Sequence, residues 1–438
     1  MKKITLLTLL LLAAQLTFSQ NNIRVVTTAV PFLSIAPDAR AAALGDQGVA
    51  TSSDAFANHW NPAKYAFIGN DTGAAISYTP YLSKLVNDIF LADVTYYRAI
   101  DDRSAWAVGL RYFSLGEIQI GETPADFINP LIERPNEYVF DASYALKLSD
   151  KFSMAIQGSF LTSDLKLRSS TTNDSTSAST VAVGISGFYQ SYEVPYSSFS
   201  GMWRAGFNIS NIGPKLEYED EGQSDFLPTN LKLGGGFDFI FDSYNKLAVS
   251  LEINKLLVPS PSEPITDGDG NITGYAQPSD VGVLSGIFKS FGDAPDGFSE
   301  ELKEFTWSLG AEFMYDESFA LRAGYFNENE LKGARKFFSL GAGFKYNVID
   351  EIITKISQDK DNKTLIADQQ ITELNKVNGI RFRLANGSWG LIRASSNKPS
   401  LVVVIESLTS NEETKKIFSY INKLLNETGK VGEYDQTL

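Results

Sequence analysis

The chain has 438 residues, a formal net charge of −14 at pH 7 and no cysteine. The lack of cysteine excludes thiol nucleophiles, cysteine-ligated zinc and disulfide frameworks. A single histidine disfavours His-based metal sites and most histidine acid–base pairs. An acidic chain without a basic block also lacks the charge pattern of a nucleic-acid binder.

Residues 1–19 have the pattern of a secretory signal peptide. Lys2 and Lys3 precede an apolar stretch from Ile4 to Phe18, and small residues stand at positions −3 and −1 of a cut before Gln20. This stretch is too short for a membrane anchor, and no later segment has the roughly 18 consecutive apolar residues of a transmembrane helix. The sequence therefore predicts an exported protein without a membrane-spanning helix.

The next segment, residues 20–72, contains the only histidine, His59, within the run RAAALGDQGVATSSDAFANHWNPAKYAF. His59 has no candidate serine or cysteine partner in a hydrolase-like context. The small residues of the run favour a helix-like stretch, and Asn61-Pro62 marks a turn before the first long strand. We therefore interpret this segment as the entry to the fold and not as an active site.

From Gly73 to Tyr346 the hydrophobic pattern has a period of two, as in β-strands. In the stretch EYVFDASYALK, for example, Phe140 and Tyr144 share one face while Asp141 lies on the other. Twelve strands are predicted, beginning near Gly73, Asp88, Ser104, Glu137, Phe152, Ser179, Met202, Leu231, Lys246, Phe305, Phe319 and Phe337.

These segments last about 9–11 residues, the length that a tilted strand needs to cross a bilayer. Large aromatic residues crowd the apolar face, whereas small residues and single charges occupy the other. The pattern predicts an all-β transmembrane barrel over residues 73–349, with a soluble β-sandwich as the alternative. The polar stretches 115–136, 163–178, 211–230 and 255–304 are predicted to be loops, with long loops on the outer face and short turns on the periplasmic face.

One loop contains TDGDGNITG, in which Asp267, Asp269 and Asn271 alternate as at the start of a calcium-binding loop. An EF-hand loop has glycine at its sixth position and glutamate at its twelfth. Ile272 and Pro278 stand at those positions here. A polar turn is therefore the favoured interpretation, with weak calcium binding as the alternative.

The segment from Thr27 to Phe67 resembles the N-terminal signature of the PorV family, which belongs with the FadL-like outer-membrane barrels. The resemblance covers roughly residues 1–349. Its signature residues are Asp38, Arg40, Gly45, Asp46, Asp54, Asn61 and Pro62.

This resemblance implies a 14-stranded FadL-like barrel that serves the type IX secretion system of Bacteroidetes. Such a protein takes cargo with a C-terminal signal domain from a large translocon barrel. It then delivers the cargo to a surface attachment complex that contains a sortase-like protease. The resemblance thus implies binding and shuttling in outer-membrane lipid, with no enzymatic activity and no cofactor.

After Asn347 the composition changes, and residues 350–370 are predicted to be a linker. Residues 371–438 then follow the order strand, turn, strand, loop, strand, helix. Asn386-Gly387 marks a hairpin turn, Ser410 and Glu413 match a capping box, and Gly429 ends the helix. The sequence therefore predicts a small C-terminal α+β domain with its own core.

Within this tail, GSWGLIRASSNKPSLVVVIES resembles the C-terminal domain of the phosphohexomutases, the phosphomannomutase/phosphoglucomutase enzymes. The resemblance implies phosphate binding by Arg393, Ser395, Ser396 and Asn397, and arginine offers phosphate a planar fork of donors. The family's catalytic serine and magnesium-loop domains have no counterpart here, so no phosphoryl transfer is expected.

The tail also stands where the last barrel strands are expected, so the barrel is predicted to lack closing strands. A fusion or misassembled gene product joined near residue 349 is therefore one hypothesis. The others are a PorV-like secretion component and a FadL-like channel for hydrophobic small molecules. The charges predicted to face the lumen argue against an apolar path through a channel; they are Arg204, Glu252, Glu312 and Lys345.

Overall fold

The computed structural model describes residues 24–68, 72–120, 131–165, 177–218, 224–267, 272–278, 280–345, 348–377, 379–394, 401–429 and 431–432. The predicted signal peptide, residues 1–19, lies outside these ranges. Contacts divide the chain into two compact units, the first of which ends at Ala342 and the second of which contains every later residue.

The first unit is built on one large antiparallel sheet. In chain order, the strands up to Phe344 are β1 (Thr72–Pro80), β2 (Ile89–Ala99), β3 (Ser104–Leu115), β4 (Ile118–Ile120), β5 (Leu131–Glu133), β6 (Asn136–Ser149), β7 (Phe152–Asp164), β8 (Ala178–Gln190), β9 (Val194–Pro195), β10 (Ser200–Ile212), β11 (Asn230–Ile240), β12 (Asn245–Leu256), β13 (Glu263–Thr266), β14 (Ile272–Ala276), β15 (Thr306–Tyr315), β16 (Phe319–Asn327) and β17 (Lys336–Phe344). The sheet order is β1-β2-β3-β6-β7-β8-β10-β11-β12-β15-β16-β17, with β9 paired to β10. The pairs β4–β5 and β13–β14 form separate hairpins.

All twelve predicted strands are present, each beginning within two residues of its predicted start. Their burial alternates as the period of two requires. On β7, Ser153 and Ser163 are buried whereas Ile156 and Phe160 are exposed. Because the exposed face is the apolar one, these strands suit a lipid environment, and the all-β transmembrane barrel prediction is confirmed.

The connections between long strands differ at the two ends of the sheet. Short turns at 100–103, 150–151, 241–244 and 316–318 share one end. Long connections at 116–135, 165–177, 213–229 and 257–305 share the other. We call these the short-turn end and the long-loop end, and in outer-membrane barrels the long loops are extracellular.

The helices of the first unit are short. The segment before β1 contains the helices Ala39–Ala43 and Ala57–Trp60 and the 3₁₀ turns Pro31–Ser34 and Pro62–Phe67; the loop before β15 contains Val283–Lys289, Phe298–Glu301 and the 3₁₀ turn Leu302–Glu304. None of the helices in the described ranges is both long and apolar enough to span a membrane.

The second unit is a small α+β domain, as predicted. It comprises a helix Val348–Asp361, the strands β18 (Leu365–Ile366), β19 (Gln369–Asn375), β20 (Ile380–Leu384), β21 (Trp389–Ala394) and β22 (Leu401–Glu406), and a helix Asn411–Glu427. The strands form one sheet in chain order. The turn between β20 and β21 contains Asn386-Gly387, and Gly387 has a φ of 92° that favours glycine.

The predicted linker at 350–370 is wrong, because most of it belongs to the helix Val348–Asp361 and to β18. Ile352 and Ile356 lie one helical turn apart and are buried in the core of this unit. The average polarity of the segment conceals this apolar stripe, which is an amphipathic helix pattern.

The predicted capping box is half correct. The Ser410 hydroxyl accepts a hydrogen bond from the Glu413 backbone N–H at 3.2 Å. The Glu413 carboxylate does not complete the box, because it accepts hydrogen bonds from Ser388 and Thr409 instead. Gly429, with a φ of 63°, follows the end of the helix as predicted.

Candidate functional site in the barrel lumen

The segment 24–68, which we call the lumen segment, lies against the inward face of the sheet. It contacts the first strand, where Ser77 Oγ donates to the Pro37 carbonyl at 2.5 Å, and the last strand, where Gly45 N donates to Ser339 Oγ at 3.0 Å. The strands between them also reach it, through Tyr97 (β2), Arg111 (β3), Ser143 (β6), Ser153 (β7), Gly187 (β8), Asn208 (β10), Lys232 (β11), Glu252 (β12), Glu312 (β15) and Gly324 (β16). Because every long strand contacts this one segment, the sheet wraps around it.

Asp38 begins the helix Ala39–Ala43 and ties it to the second helix. One carboxylate oxygen accepts from Ala41 N at 2.9 Å, as an N-cap does. The other accepts from Trp60 Nε1 at 2.8 Å. Asp38 is buried, so these two bonds are the partners that such a carboxylate needs.

Arg40 connects the lumen segment to the barrel wall. Its guanidinium donates to both carboxylate oxygens of Glu312, at 3.0 and 2.8 Å. It also donates to Asp54 at 2.5 Å and to the Ser52 carbonyl at 3.0 Å. Arg322 on β16 donates to the same Glu312. Two signature residues, Arg40 and Asp54, thus form one ionic cluster with β15 and β16.

Gly45 and Asp46 form a tight turn after the first helix. Gly45 has a φ of 81°, and a Cβ at this position would stand 2.8 Å from the Tyr325 carbonyl oxygen. Asp46 also has a left-handed φ, of 57°, and its N–H donates to the Ala41 carbonyl. Burial raises the pKa of the Asp46 carboxyl to about 6, against the opposing charge of Lys232.

Asn61 and Pro62 begin the turn Pro62–Phe67. The Asn61 side-chain amide donates to the carbonyls of Val49 and Gly187, at 2.8 and 3.0 Å, and its oxygen accepts from Ala63 N. Both amide hydrogens and the side-chain oxygen of Asn61 therefore have partners although the residue is inaccessible to solvent. Pro62 stands at the start of the turn, where its lack of an N–H costs nothing.

His59 is an anchoring residue of the lumen segment. Its Nδ1 lies 2.5 Å from a guanidinium nitrogen of Arg111, which also pairs with Asp141 at 2.8 Å. Burial and the charge of Arg111 lower the pKa of His59 well below its usual range. The neutral imidazole is thus an acceptor for Arg111.

Sequence patterns did not indicate Lys64 as an important residue. Its ammonium group is buried and donates to the Gly48 carbonyl at 2.9 Å and to Thr51 Oγ1 at 3.0 Å. The neighbouring backbone N–H groups of Gly48 and Val49 both donate to Glu252 at 2.8 Å. The chain between the two helices is therefore fixed from both sides.

The predicted inward direction of Arg204, Glu252 and Glu312 is confirmed, since all three are buried. The same prediction for Lys345 is wrong. Lys345 follows the last residue of β17 and is exposed, because the strand ends one residue before it.

Apolar side chains close the lumen at both ends. At the long-loop end, Phe32 and Leu33 pack with strand residues such as Phe113 and with Leu216 and Leu227 from the loop 213–229. At the short-turn end, a second cluster includes Tyr65, Tyr97, Ala105, Ala145, Ala155 and Phe188. The charged contacts of Arg40 and His59 involve strand positions between these clusters.

Most residues of the other predicted sites lie outside the part of the chain that the structure describes. Arg393 is in β21, whereas Ser395, Ser396 and Asn397 are outside the described residues. Asp267 follows β13, and Asp269 and Asn271 are outside them as well. Within the described ranges, no group of three or more His, Cys, Asp or Glu side chains is arranged to hold a metal ion.

The family model of the type IX secretion system protein PorV matches residues 18–263. The chain belongs to the PorV family. The match includes all seven signature residues and ends within β13. Membership of this family identifies the protein as an outer-membrane β-barrel. The resemblance of the tail to phosphohexomutases lies beyond this match and stays a hypothesis.

Three solved barrels are similar to this chain at low identity. The toluene transporter TodX of Pseudomonas putida is 13% identical, with 74% of this chain and 91% of that chain covered and a TM-score of 0.38. A TodX deltaS2S3 mutant channel has 12% identity, coverage of 83% and 91%, and a TM-score of 0.39. A Pseudomonas aeruginosa FadL homologue has 11% identity, coverage of 87% and 96%, and a TM-score of 0.33. No curated protein matches the chain.

Proposed function

We propose that this protein is a non-enzymatic component of type IX secretion that binds exported cargo at the outer membrane and passes it on. The single observation that carries the proposal is the match to the PorV family, which includes the whole lumen segment. The seven signature residues fix this segment inside the barrel, so they build the scaffold and leave the contact with cargo to other surfaces.

The filled lumen supports an external binding role. The lumen segment contacts all twelve long strands, and Leu216 and Leu227 cover it at the long-loop end. Cargo recognition is therefore assigned to the loops 116–135, 213–229 and 257–305, which are extracellular in barrels of this kind.

The proposed partners follow from this role. A large translocon barrel supplies cargo that carries a C-terminal signal domain, and an attachment complex with a sortase-like protease receives it. The exposed apolar face of the strands, with residues such as Ile156, contacts outer-membrane lipid. No nucleic acid and no cofactor takes part.

A channel for hydrophobic molecules is the alternative. Such a channel needs a continuous apolar path, whereas the contacts between the lumen segment and the wall include the ion pairs Arg40–Glu312 and Arg111–Asp141. Buried charges have to keep their partners, so an apolar solute cannot displace the segment without a large cost. The ionic contacts therefore favour cargo handling.

Deletion of the gene in its native bacterium tests the proposal. Cargo with the C-terminal signal domain is expected to accumulate unprocessed inside the cell, and the cloned gene is expected to restore export. Affinity purification from the outer membrane is expected to yield the translocon barrel together with cargo. Normal cargo export combined with poor growth on hydrophobic substrates would instead select the channel.

A third possibility is a fused or misassembled gene product whose tail is a non-catalytic phosphohexomutase fragment. Complementation with a chain that stops after Lys345 distinguishes this case. If the tail is an accidental fusion, the shortened chain restores export at least as well as the full chain. Loss of export with the shortened chain would assign the tail a role in the system.

A further inference from the structure

The helix Val283–Lys289, in the loop 257–305, turns its large apolar side chains away from the protein. Leu284 and Phe288 lie four residues apart and therefore on the same face of the helix. They are 68% and 78% exposed, and Phe291, just beyond the end of the helix, is 47% exposed. A helix on the surface of a soluble protein has the opposite arrangement, with its apolar stripe against the core. This face therefore requires an apolar environment outside the chain.

The other two sides of this helix have different surroundings. Gly286 is buried, and a Cβ at this position would stand 3.1 Å from Pro259 and 3.2 Å from Phe226. Ser285 and Lys289 are exposed and lie between the buried side and the apolar side. The helix thus presents one side to the barrel, one polar side to its surroundings and one apolar side without a partner in the described part of the chain.

Lys255 indicates that this loop lies against the outer side of the barrel wall. It continues the outward row of β12 formed by Leu251 and Ile253, which are exposed, yet Lys255 itself is buried. Its ammonium group lies 2.7 Å from a carboxylate oxygen of Glu301 and 2.8 Å from one of Glu304. The chain that follows the helix therefore covers the outer face at the end of β12.

The apolar side of the helix is continuous with the lipid-facing wall. The rings of Phe291 and Phe305 have their centroids 6.0 and 5.2 Å from Lys255 Nζ. Phe305 directly precedes β15, whose outward residues Trp307 and Leu309 are 39% and 48% exposed. Aromatic residues of outer-membrane barrels gather at the edges of the apolar band. The loop therefore meets the wall at the level where hydrocarbon gives way to lipid headgroups.

Buried ion pairs fix the loop in this position. Lys332, from the connection between β16 and β17, lies 2.8 Å from Glu300 and 2.9 Å from Glu304, and Arg24 donates to Glu300 at 3.0 Å. These four side chains are at most 7% exposed. Separation of such pairs leaves uncompensated charges. The loop therefore keeps its place, and its outer apolar side chains need a partner from the surroundings.

We propose that residues 283–291 form an interfacial anchor, with Leu284, Phe288 and Phe291 in the lipid beside the barrel and Lys289 directed to the headgroup phosphates. Interfacial helices bury their apolar face about 5–10 Å into the boundary between headgroups and acyl chains. Lysine reaches the headgroups from there through its flexible stem. The proposal depends on the outer-membrane barrel and not on cargo handling, and it leaves the β13–β14 hairpin of the same loop to the cargo.

Site-directed spin labelling of the full-length protein in phosphatidylcholine nanodiscs tests this proposal. The absence of native cysteine makes each introduced thiol unique. L284C and F288C place the label on the apolar side of the helix, and the matched controls S285C and K289C place it on the polar side. I156C, on the outward face of β7, is the reference for contact with lipid. A heat-modifiable gel shift verifies that each variant folds.

Power saturation compares collisions with oxygen, which concentrates in lipid, and with a nickel chelate, which stays in water. L284C and F288C are expected to resemble I156C. Their oxygen-to-nickel collision ratio is expected to exceed that of S285C and K289C at least about threefold, because the two sides of an interfacial helix sample different phases. F291C replaces F288C if that variant does not fold.

Frequent collisions with nickel at all four helix positions would show that the helix stands in water and would overturn the proposal. Infrequent collisions with both reagents at L284C and F288C would indicate a contact between protein surfaces, such as a second copy of this chain. Photo-cross-linking in the native outer membrane, with benzoylphenylalanine in place of Phe288, examines the complete system. Adducts with lipid are expected, whereas a discrete adduct with another protein would identify this face as a protein-docking surface and overturn the proposal.

Discussion

The guanidinium of Arg40 forms two hydrogen bonds with the carboxylate of Glu312, although 272 positions separate the two residues in the chain. Arg40 lies inside the region that matches the PorV family model, whereas Glu312 lies beyond its end at residue 263. The family signature therefore depends on a strand outside the matched region, and most residues of the last three long strands belong to the same compact unit as the signature.

Replacement of Glu312 by alanine is expected to destabilise the barrel strongly. Glu312 is buried and Arg40 largely so, and removing one partner of a buried ion pair costs about 3–5 kcal/mol because the other charge is left uncompensated. The urea midpoint of the heat-modifiable band in detergent reports this loss. Glu330→Ala is the matched control, since its pair with Lys336 is exposed and worth about 0–1 kcal/mol. Equal midpoints for the two variants would contradict a structural role for the Arg40 contact.

Gly45→Ala is expected to prevent stable folding of the lumen segment. The new Cβ would meet the Tyr325 carbonyl oxygen at 2.8 Å, and the φ of 81° is unfavourable for alanine, which together cost at least about 1–3 kcal/mol. Gly158→Ala is the control, because nothing lies within 4 Å of a Cβ at that position on β7. Protease sensitivity of the lumen segment in the folded barrel is the measurement, and the prediction fails if both variants are equally resistant.

Asp46→Asn is expected to change how stability depends on pH. Burial raises the folded-state pKa of Asp46 to about 6, above its ordinary value of 3.8. The contribution of Asp46 to stability is therefore fully present below about pH 4 and is lost as pH rises through about 6. The asparagine variant, which does not ionise and tolerates the left-handed φ, should therefore gain stability relative to the native chain at pH 7 but not at pH 4.

Urea midpoints measured at both pH values check this expectation. Asp242→Asn is the control, because the pKa of Asp242 is shifted in the opposite direction. Hydrogen bonds from Asn245 and Tyr244 lower the pKa of Asp242, so its contribution is present above the unfolded pKa, and the substitution should not stabilise the protein at pH 7. A gain in stability at pH 7 for Asp242→Asn, or no such gain for Asp46→Asn, would contradict the raised pKa of Asp46.

Ile356→Ala is expected to loosen the C-terminal unit, because Ile356 is fully buried in its core and such a truncation costs about 2–5 kcal/mol. Hydrogen exchange of the full-length protein should then accelerate in the helix Val348–Asp361 and in β20. Lys355→Ala is the control, since its pair with Glu427 is exposed. Rapid exchange of residues 348–361 in the unmodified protein would show that they behave as a linker.

The sequence predicted the wall of this barrel well and its interior poorly. Strand positions follow from a local period of two, and lipid on one face keeps that pattern strong from β1 to β17. The structure of residues 24–68 depends on contacts with residues that are distant in sequence. Arg40 and Glu312 are single charges in small-residue or apolar surroundings, and their opposite sign is the only signal that pairs them.

The second unit shows the opposite limitation. Average composition suggested a linker at 350–370, although the spacing of Ile352 and Ile356 is already helical. A helical period was therefore present in the sequence of this segment. The charged residues on the opposite face of the helix obscured it. Phosphate binding by Arg393 stays a prediction, since the three ligands proposed beside it lie outside the described residues.

The position of the lumen segment also constrains the order of assembly. It precedes every strand in the chain, yet its contacts extend to Ser339 on the last long strand. Contacts of such long sequence separation form late and slowly. The N-terminal segment is therefore expected to complete its contacts only after the C-terminal strands of the barrel are in place.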